Sequence, residues 1–291
     1  MHIAPFFHAD TSTWSYLVAD SATRRAALID PVLDFDAASG RVHHAAARDL
    51  LQHVQAGSFA VDWILETHAH ADHLSAADWL RQQLLALGQA PCVAIGAGIV
   101  AVQRRFCDVF GLGAEFRSDG SQFDRLLQDG ERLTLGSRAI EVLATPGHTG
   151  DSVSYCVGDA VFVGDTLFSP MAGTARCDFP GGDAATLYRS IRRLYALPPG
   201  TRLFLCHDYP PAGAAPRCEV PLTEMRQGNI HLRDDTGEAE YVALRTRRDA
   251  TLPVPRLLYP ALQVNIRAGR LPEADAQGRR FLRLPLQLAA E

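Results

Sequence analysis

Four residues of metal-ligand type lie close together after an apolar segment: His68, His70, Asp72 and His73. Imidazole and carboxylate groups at this density would leave costly unpaired polar atoms if they were simply buried. One or more metal ions would satisfy them together, because both groups are common metal ligands in proteins. The spacing therefore predicts a metal site, and the alternative is a polar surface loop that happens to be rich in histidine.

Three later positions carry the same kinds of ligand, each directly after a predicted strand. These are His148, Asp165 and His207. A carboxylate at the end of a buried strand, such as Asp165, is costly without a cation nearby. A single histidine in such a place is more often structural than a ligand, but the ordered series favours one shared site.

The elements that must position these residues are short strands alternating with amphipathic helices. The apolar run 61–65, rich in β-branched and aromatic residues, predicts a strand that leads into the histidine-rich loop. The other predicted strands are 14–18, 26–30, 92–95, 132–135, 139–143, 153–157, 160–163 and 201–206. The predicted helices are 45–54, a segment between Ser75 and Gly88, 99–110, 186–197 and 238–248. After the last helix we expect a Pro-rich extended tail.

Composition limits the classes of function. The chain has 291 residues, 47% of them hydrophobic, and a net charge of −5, which argues against nucleic acid as a partner. No apolar run approaches membrane-spanning length, and the N-terminal residues do not resemble a secretion signal, so we expect a soluble, cytoplasmic protein with no membrane partner. The six cysteines are scattered without a CxxC pair, which favours reduced thiols.

The ordered ligands resemble the metallo-β-lactamase superfamily, whose pattern is HxHxDH followed by a His, an Asp and a His at strand ends. The resemblance covers about residues 10–235 and implies an α/β fold, a four-layer αββα sandwich. It implies a catalytic domain at 1–235, and a C-terminal helix and extended tail at 236–291 packed on the same domain. Asp165 stands where true metallo-β-lactamases often have cysteine, which points toward the glutathione-handling branches.

Two of those branches compete. Glyoxalase II hydrolyses a glutathione thioester with a two-metal centre, whereas persulfide dioxygenase uses one iron held by two histidines and one carboxylate. Counting ligands does not separate them, because the iron enzymes usually retain the residues of the second site. Residues 173–183 with the helix start at 186–188 resemble the RxDF-then-GD segment of persulfide dioxygenases. The triplet 207–209 and the tail around 264–270 are similar to the bacterial form of that enzyme.

The resemblance to bacterial glutathione-dependent persulfide dioxygenases implies a ligand set. His68, His148 and Asp165 would hold one iron(II) per chain, and zinc could replace it. Five further residues would orient ligands and water, or bind a second metal: His70, Asp72, His73, His207 and Asp208. For Asp208 a structural hydrogen bond is an equal alternative. In a two-metal arrangement, one pocket would contain His68, His70 and His148, the other Asp72, His73 and His207, with Asp165 between them.

The implied reaction is the oxidation of glutathione persulfide with O2 and water to sulfite and glutathione, in sulfide detoxification. The alternative is a hydroxyacylglutathione hydrolase with a dinuclear centre. Glutathione carries two carboxylates, so we expect a cationic contact, for which Arg176 is the candidate; a buried pair with Asp178 is equally compatible. Tyr209 is the candidate for a second contact through its hydroxyl, and the family suggests a homodimer.

Overall fold

Two six-stranded β-sheets form the centre of the protein in the computed structural model, which describes residues 1–210 and 213–286. The strands, in chain order, are β1 (His2–His8), β2 (Thr13–Ala19), β3 (Arg25–Ile29), β4 (Val32–Asp36), β5 (Arg41–His43), β6 (Ala60–Leu65), β7 (Leu74–Ser75), β8 (Cys92–Gly96), β9 (Arg125–Leu127), β10 (Arg132–Leu135), β11 (Arg138–Ala144), β12 (Val153–Val157), β13 (Ala160–Phe162), β14 (Arg202–Phe204) and β15 (Glu219–Pro221). The helices are α1 (Ala45–Ala56), α2 (Ala77–Ala86), α3 (Ile99–Phe110), α4 (Ala184–Tyr195), α5 (Leu222–Gly228), α6 (Glu238–Asp249) and α7 (Leu258–Asn265), with a 3-10 helix at Gly164–Thr166.

The sheets have the spatial orders β1-β2-β3-β6-β8-β9 and β10-β11-β12-β13-β14-β15, and a small third sheet has the order β5-β4-β7. In the first large sheet β1, β2 and β3 are antiparallel, whereas β3, β6, β8 and β9 are parallel neighbours. The predicted strands 14–18 and 26–30 correspond to β2 and β3, which pair antiparallel with Tyr16 opposite Ile29.

The two large sheets pack face to face. Side chains alternate across each strand, so β2 directs Tyr16 and Val18 into the space between the sheets and Leu17 toward the helices on its outer face. The ring of Tyr16 lies 5.0 Å from that of Phe162 in the opposite sheet. This inner cluster forms the middle of the sandwich.

Helices cover both outer faces. The buried residues of α1, α2, α3 and α7 share one hydrophobic cluster with the first sheet, and those of α4 share another with the second sheet and α5. The helix α6 packs against α4 and contributes Tyr241 to that second cluster. The layers are therefore helix, sheet, sheet and helix, which confirms the predicted αββα sandwich.

The expectation of an extended tail is wrong at α7. Residues 258–265 form this helix, and Pro260 is its third residue, within the first turn. Backbone N–H groups there have no partner inside the helix, so proline is tolerated. The apolar residues Ala261, Leu262 and Val264 supply the buried face that stabilises α7 against the core. The domain boundary at residue 235 stays a prediction.

Two expectations from composition concern the whole chain. All six cysteines are free thiols, in agreement with the predicted reduced state. Across residues 1–210 and 213–286, every helix is too short or too polar to span a lipid bilayer.

Candidate metal centre

All the histidines and aspartates of the predicted ligand series converge at the ends of strands. The loop 66–73 follows β6, His148 follows β11, Asp165 lies in the 3-10 helix after β13, and His207 follows β14. Because these strand ends lie at the same edge of the sandwich, side chains distant in sequence meet. The ligand atoms of His68, His148 and Asp165 all lie within 4.8 Å of one another, and we call this set the first group.

The distances within the first group suit a shared ion. The Oδ2 atom of Asp165 lies 3.9 Å from Nε2 of His68 and 3.7 Å from Nε2 of His148. Two ligands that each lie about 2.1 Å from one ion are about 3.0–3.5 Å apart at ordinary coordination angles. The observed separations are close to this range.

A second group lies beside the first. It consists of His70, Asp72 and His73, whose ligand atoms also fall within 4.8 Å of one another. His207 stands between the groups, with Nε2 3.1 Å from Oδ2 of Asp72 and 3.2 Å from Oδ1 of Asp165. Burial alone would lower the pKa of His207, but these two carboxylates raise it to about 10.

Orphaned polar atoms test whether the residues fit a metal. Four ring nitrogens are buried without a hydrogen-bond partner among the described residues: Nε2 of His68, Nδ1 of His70 and both ring nitrogens of His73. Buried polar atoms are normally paired, and leaving so many unpaired would be costly. Metal coordination would satisfy them, so the residues present fit a metal-binding site.

The protein fixes the orientation of the imidazole rings. In three histidines an oxygen lies beside Nδ1 and leaves Nε2 facing the site: His148 with the Arg176 carbonyl (2.7 Å), His207 with the Ser12 carbonyl (3.0 Å) and His68 with Oγ1 of Thr67 (3.1 Å). The ring of His70 has the opposite orientation. Its Nε2 lies 3.0 Å from Oδ1 of Asp30, and its Nδ1 has no hydrogen-bond partner among the described residues. Such outer hydrogen bonds set the tautomer and direction of a metal-binding histidine.

Asp30 and Asp151 were not identified from the sequence as parts of the site. Asp30 accepts hydrogen bonds from the backbone N–H and the hydroxyl of Thr67, at 2.7 and 2.9 Å. Asp151 accepts the N–H of Ala69 at 2.8 Å. Asp30 follows a buried strand just as Asp165 does, so the same signal could have found it, whereas nothing in the local pattern marks Asp151.

Burial and charge shape the protonation of the site. Burial lowers the pKa of His68 well below its ordinary value and so keeps its ring neutral, as a metal ligand must be. Burial alone would raise the pKa of Asp165, but His207 and the neighbouring histidines lower it strongly. Burial and the nearby Asp30 raise the pKa of Glu66 to about 8. Within the first group, the neutral imidazole of His68 thus lies beside the anionic carboxylate of Asp165.

A cavity of about 990 Å³ opens above this centre. His148, Asp165 and Asp72 line it, and so do both predicted substrate-binding residues, Arg176 and Tyr209. A ligand with the dimensions of a tripeptide could therefore reach the candidate metal ligands.

The predicted substrate residues have other contacts as well. The guanidinium of Arg176 makes a two-pronged pair with Asp178, both distances being 2.6 Å, and donates to the Pro253 carbonyl at 2.7 Å. The alternative weighed from the sequence, a pair with Asp178, is thus present, and a substrate contact of Arg176 stays a prediction. The half-exposed ring of Tyr209 stacks on His207, with centroids 6.0 Å apart. Asp208 accepts the N–H of Arg217 at 2.7 Å, which is a structural hydrogen bond.

Comparison with known proteins identifies the family. Residues 9–207 match the family model described as the metallo-beta-lactamase superfamily. The chain is 48% identical to a probable metallo-hydrolase of Burkholderia pseudomallei, covering 98% of this chain and 99% of that protein. It is 41% identical to glyoxylase B2 of Dictyostelium discoideum, over 98% and 96% of the two chains. It is also 48% identical to a beta-lactamase hydrolase-like protein of Agrobacterium fabrum, of whose length it spans 65%.

More distant relatives carry names specific to the two competing reactions. The human mitochondrial persulfide dioxygenase ETHE1 is 31% identical over 70% of this chain and 66% of that protein. A hydroxyacylglutathione hydrolase of Methylococcus capsulatus is 31% identical over 78% of this chain and 76% of its own length. The crystal structure of ETHE1 from Myxococcus xanthus superposes with a TM-score of 0.73 at 31% identity, covering 93% of this chain and 100% of that one. On the matched motif, the shared fold and these relatives, the chain belongs to the metallo-beta-lactamase superfamily.

Proposed function

We propose that the chain is an iron(II)-dependent dioxygenase that oxidises glutathione persulfide with O2 and water to sulfite and glutathione. The observation that carries the proposal is the first group, two histidines and one aspartate, two of whose members line the cavity. Two histidines and one carboxylate with open positions form the ligand set typical of non-haem iron oxygenases. The likeness to the persulfide dioxygenase of human and to the Myxococcus xanthus structure supports the same reaction.

The proposed reaction is balanced in atoms and electrons. One persulfide, one O2 and one water give one thiol, one sulfite and two protons. The outer sulfur is oxidised, O2 is reduced, and the bond between the two sulfurs breaks. A bound iron(II) would supply the redox chemistry and the coordination positions for the reactants.

The residues of the chain orient and enclose the substrate. Nδ1 of His148 donates to the Arg176 carbonyl, which holds Nε2 toward the site. The ring of Phe179 lies edge-on to His148 at 5.4 Å, and Phe168 lies at 5.9 Å from His207; both phenylalanines line the cavity. These rings present apolar surface to the cavity next to the first group.

Cationic side chains in the cavity suit the carboxylates of glutathione. Four arginines line it, and three of them pair with acidic side chains: Arg176 with Asp178, Arg217 with Glu224 and Arg245 with Asp249. The fourth, Arg248, is exposed and forms no ion pair within the described residues. We therefore propose Arg248 as a carboxylate contact, beside the predicted Arg176 and Tyr209.

A second candidate function is hydrolysis of a glutathione thioester at a dinuclear centre. The second group favours it, because both ring nitrogens of the buried His73 have no hydrogen-bond partner among the described residues. The 41% identity to glyoxylase B2 favours it as well. For that reaction the first and second groups would hold two metal ions, which would supply a nucleophile from water at neutral pH.

One experiment separates the two reactions. The full chain is prepared metal-free, loaded anaerobically with iron(II) or with zinc, and given glutathione persulfide or S-lactoylglutathione. We expect O2 uptake and sulfite formation in equal amounts with the iron form and the persulfide, and neither with the zinc form. Rapid hydrolysis of S-lactoylglutathione by the zinc form, without O2 uptake by the iron form, would establish the second function instead.

A further inference from the structure

The side chain of Asn265, the last residue of α7, reaches the loop that carries the clustered ligands. Its Nδ2 donates to the backbone carbonyls of His70 and His73, both at 2.8 Å. Its Oδ1 accepts the N–H of Ser75, also at 2.8 Å. One buried amide therefore makes three hydrogen bonds to a segment some 190 residues earlier in the chain.

These hydrogen bonds hold a segment that has no regular structure of its own. Residues 66–73 form neither helix nor strand, so their backbone groups need partners from elsewhere. Asp30 holds the loop at Thr67 and Asp151 holds it at Ala69. Asn265 holds the far end, and within residues 1–210 and 213–286 no other donor bonds to the carbonyl oxygen of His70 or His73.

The position of Asn265 is itself fixed by packing. Its neighbours Val264 and Ile266 are fully buried in the hydrophobic cluster under the first sheet. Just beyond the helix, Gly269 has a φ of +78°, and a Cβ there would meet the carbonyl oxygen of Ser75 at 2.9 Å. This close backbone approach, which glycine permits, docks the C-terminal segment against the end of the loop.

We infer that Asn265 is a positioning residue for the metal centre. It holds the loop in the conformation in which His70, Asp72 and His73 face the site, and it does so from the C-terminal segment. This role applies equally to a one-metal and a two-metal centre, so it does not depend on which reaction the protein performs.

The chain offers a matched pair of variants to test this. Asn265→Asp keeps the acceptor for Ser75 but removes both donors and places a carboxylate against two carbonyl oxygens. Gln263→Glu makes the same chemical change two residues earlier in α7, at a buried amide that donates to the carbonyls of Tyr259 and Arg283 and not to the loop. Loss of buried hydrogen bonds in α7 is common to both variants, whereas release of the ligand loop is specific to Asn265→Asp.

The readout is Co²⁺ binding to the metal-free full chain, followed by visible absorption, with circular dichroism to confirm folding. We expect Asn265→Asp to bind Co²⁺ about 10- to 100-fold more weakly, as for other outer groups of metal sites. We expect Gln263→Glu to bind Co²⁺ with the same affinity as the unchanged chain. This should hold even if its Tm in the metal-free state falls as far as that of Asn265→Asp. Equal affinity in both variants, whether retained or lost, would overturn the inference.

If Asn265→Asp does not fold, Asn265→Ala is measured in the same way, with the rise in Tm on adding Co²⁺ as a second readout. A positioning role predicts a smaller rise than in Gln263→Glu, because weaker binding stabilises less. An equal rise would contradict it. Co²⁺ binding does not require persulfide oxidation, so this test can fail or succeed independently of the proposed function.

Discussion

The two groups of candidate ligands differ in their access to the cavity. In the first group His148 and Asp165 line it, whereas in the second group only Asp72 does so among the lining residues described. His70 and His73 are fully buried, and Nε2 of His70 lies between the carboxylates of Asp30 at 3.0 Å and Glu66 at 3.6 Å. A metal that reacts with substrate and O2 needs an open side, so under the proposed function the first group would hold the reactive metal and the second group would orient the loop.

The largest expected effect is at the carboxylate of the first group. We expect Asp165→Ala to lose both bound metal and activity, because the anionic ligand disappears. Metal content after gel filtration and persulfide-dependent O2 uptake measure the two losses.

The matched control is Asp159→Ala, which removes a carboxylate that pairs with Arg202 on the surface. It should retain full metal content and activity. Iron retained at the level of the unchanged chain in Asp165→Ala would show that Asp165 is not a ligand.

The second prediction compares one histidine from each group. We expect His68→Ala to lose its metal, and His73→Ala to keep one metal per chain with affinity weaker by about 10- to 100-fold. The same substitution is made at two buried rings, so the loss of volume is matched.

Metal titration by calorimetry gives stoichiometry and affinity for both variants. A change from two metals per chain to one in His73→Ala would favour the dinuclear centre. Equal losses of metal affinity in the two variants would contradict the expectation that the first group contributes more to metal binding than the second.

A smaller effect is expected at the wall of the cavity. We expect Arg248→Ala to raise KM for glutathione persulfide about tenfold with little change in kcat, because a charge-assisted hydrogen bond to a carboxylate contributes about 1.5–3 kcal/mol. Steady-state O2 uptake measures both constants. Arg247→Ala, its exposed neighbour on α6, is the control and should leave KM unchanged. An unchanged KM in Arg248→Ala would show that Arg248 does not contact the carboxylate, and Arg176 would remain the candidate.

The smallest expected effect concerns the support of the first group. His231 accepts the N–H of Thr174 through Nδ1 at 2.9 Å, in the segment that leads to Arg176 and hence to His148. Burial, and next the charge of Arg245, lower the pKa of His231 to about 4. Between pH 6.5 and pH 4 the unfolded chain therefore binds a proton at this ring that the folded chain does not, so stability falls as pH falls through this window.

Urea unfolding at pH 7 and pH 5 tests this dependence. We expect His231→Gln to lose less stability between the two pH values than the unchanged chain, because glutamine does not titrate. An equal loss in both would show that His231 does not contribute.

Sequence patterns predicted which candidate ligands come together, but not the residues that hold them in place through hydrogen bonds. His68, His148 and Asp165 each follow a strand directly, so a local signal and a shared sheet edge were enough to bring them together. Asn265 acts through hydrogen bonds to a loop 190 residues away, and no local pattern reports such a contact. The Pro-rich composition of the tail did not predict α7, because the cost of a proline depends on its place in the helix, which composition does not give. For Arg176 the sequence left two partners open, because an aspartate two residues away and a substrate carboxylate offer the same chemistry.

The central claim is that one redox-active metal lies between His68, His148 and Asp165. Crystals of the iron-loaded protein, with anomalous diffraction collected on both sides of the iron absorption edge, locate it directly. We expect one iron peak per chain, bounded by these three side chains and open to the cavity. Two peaks, with the second held by Asp72, His73 and His207, would contradict it.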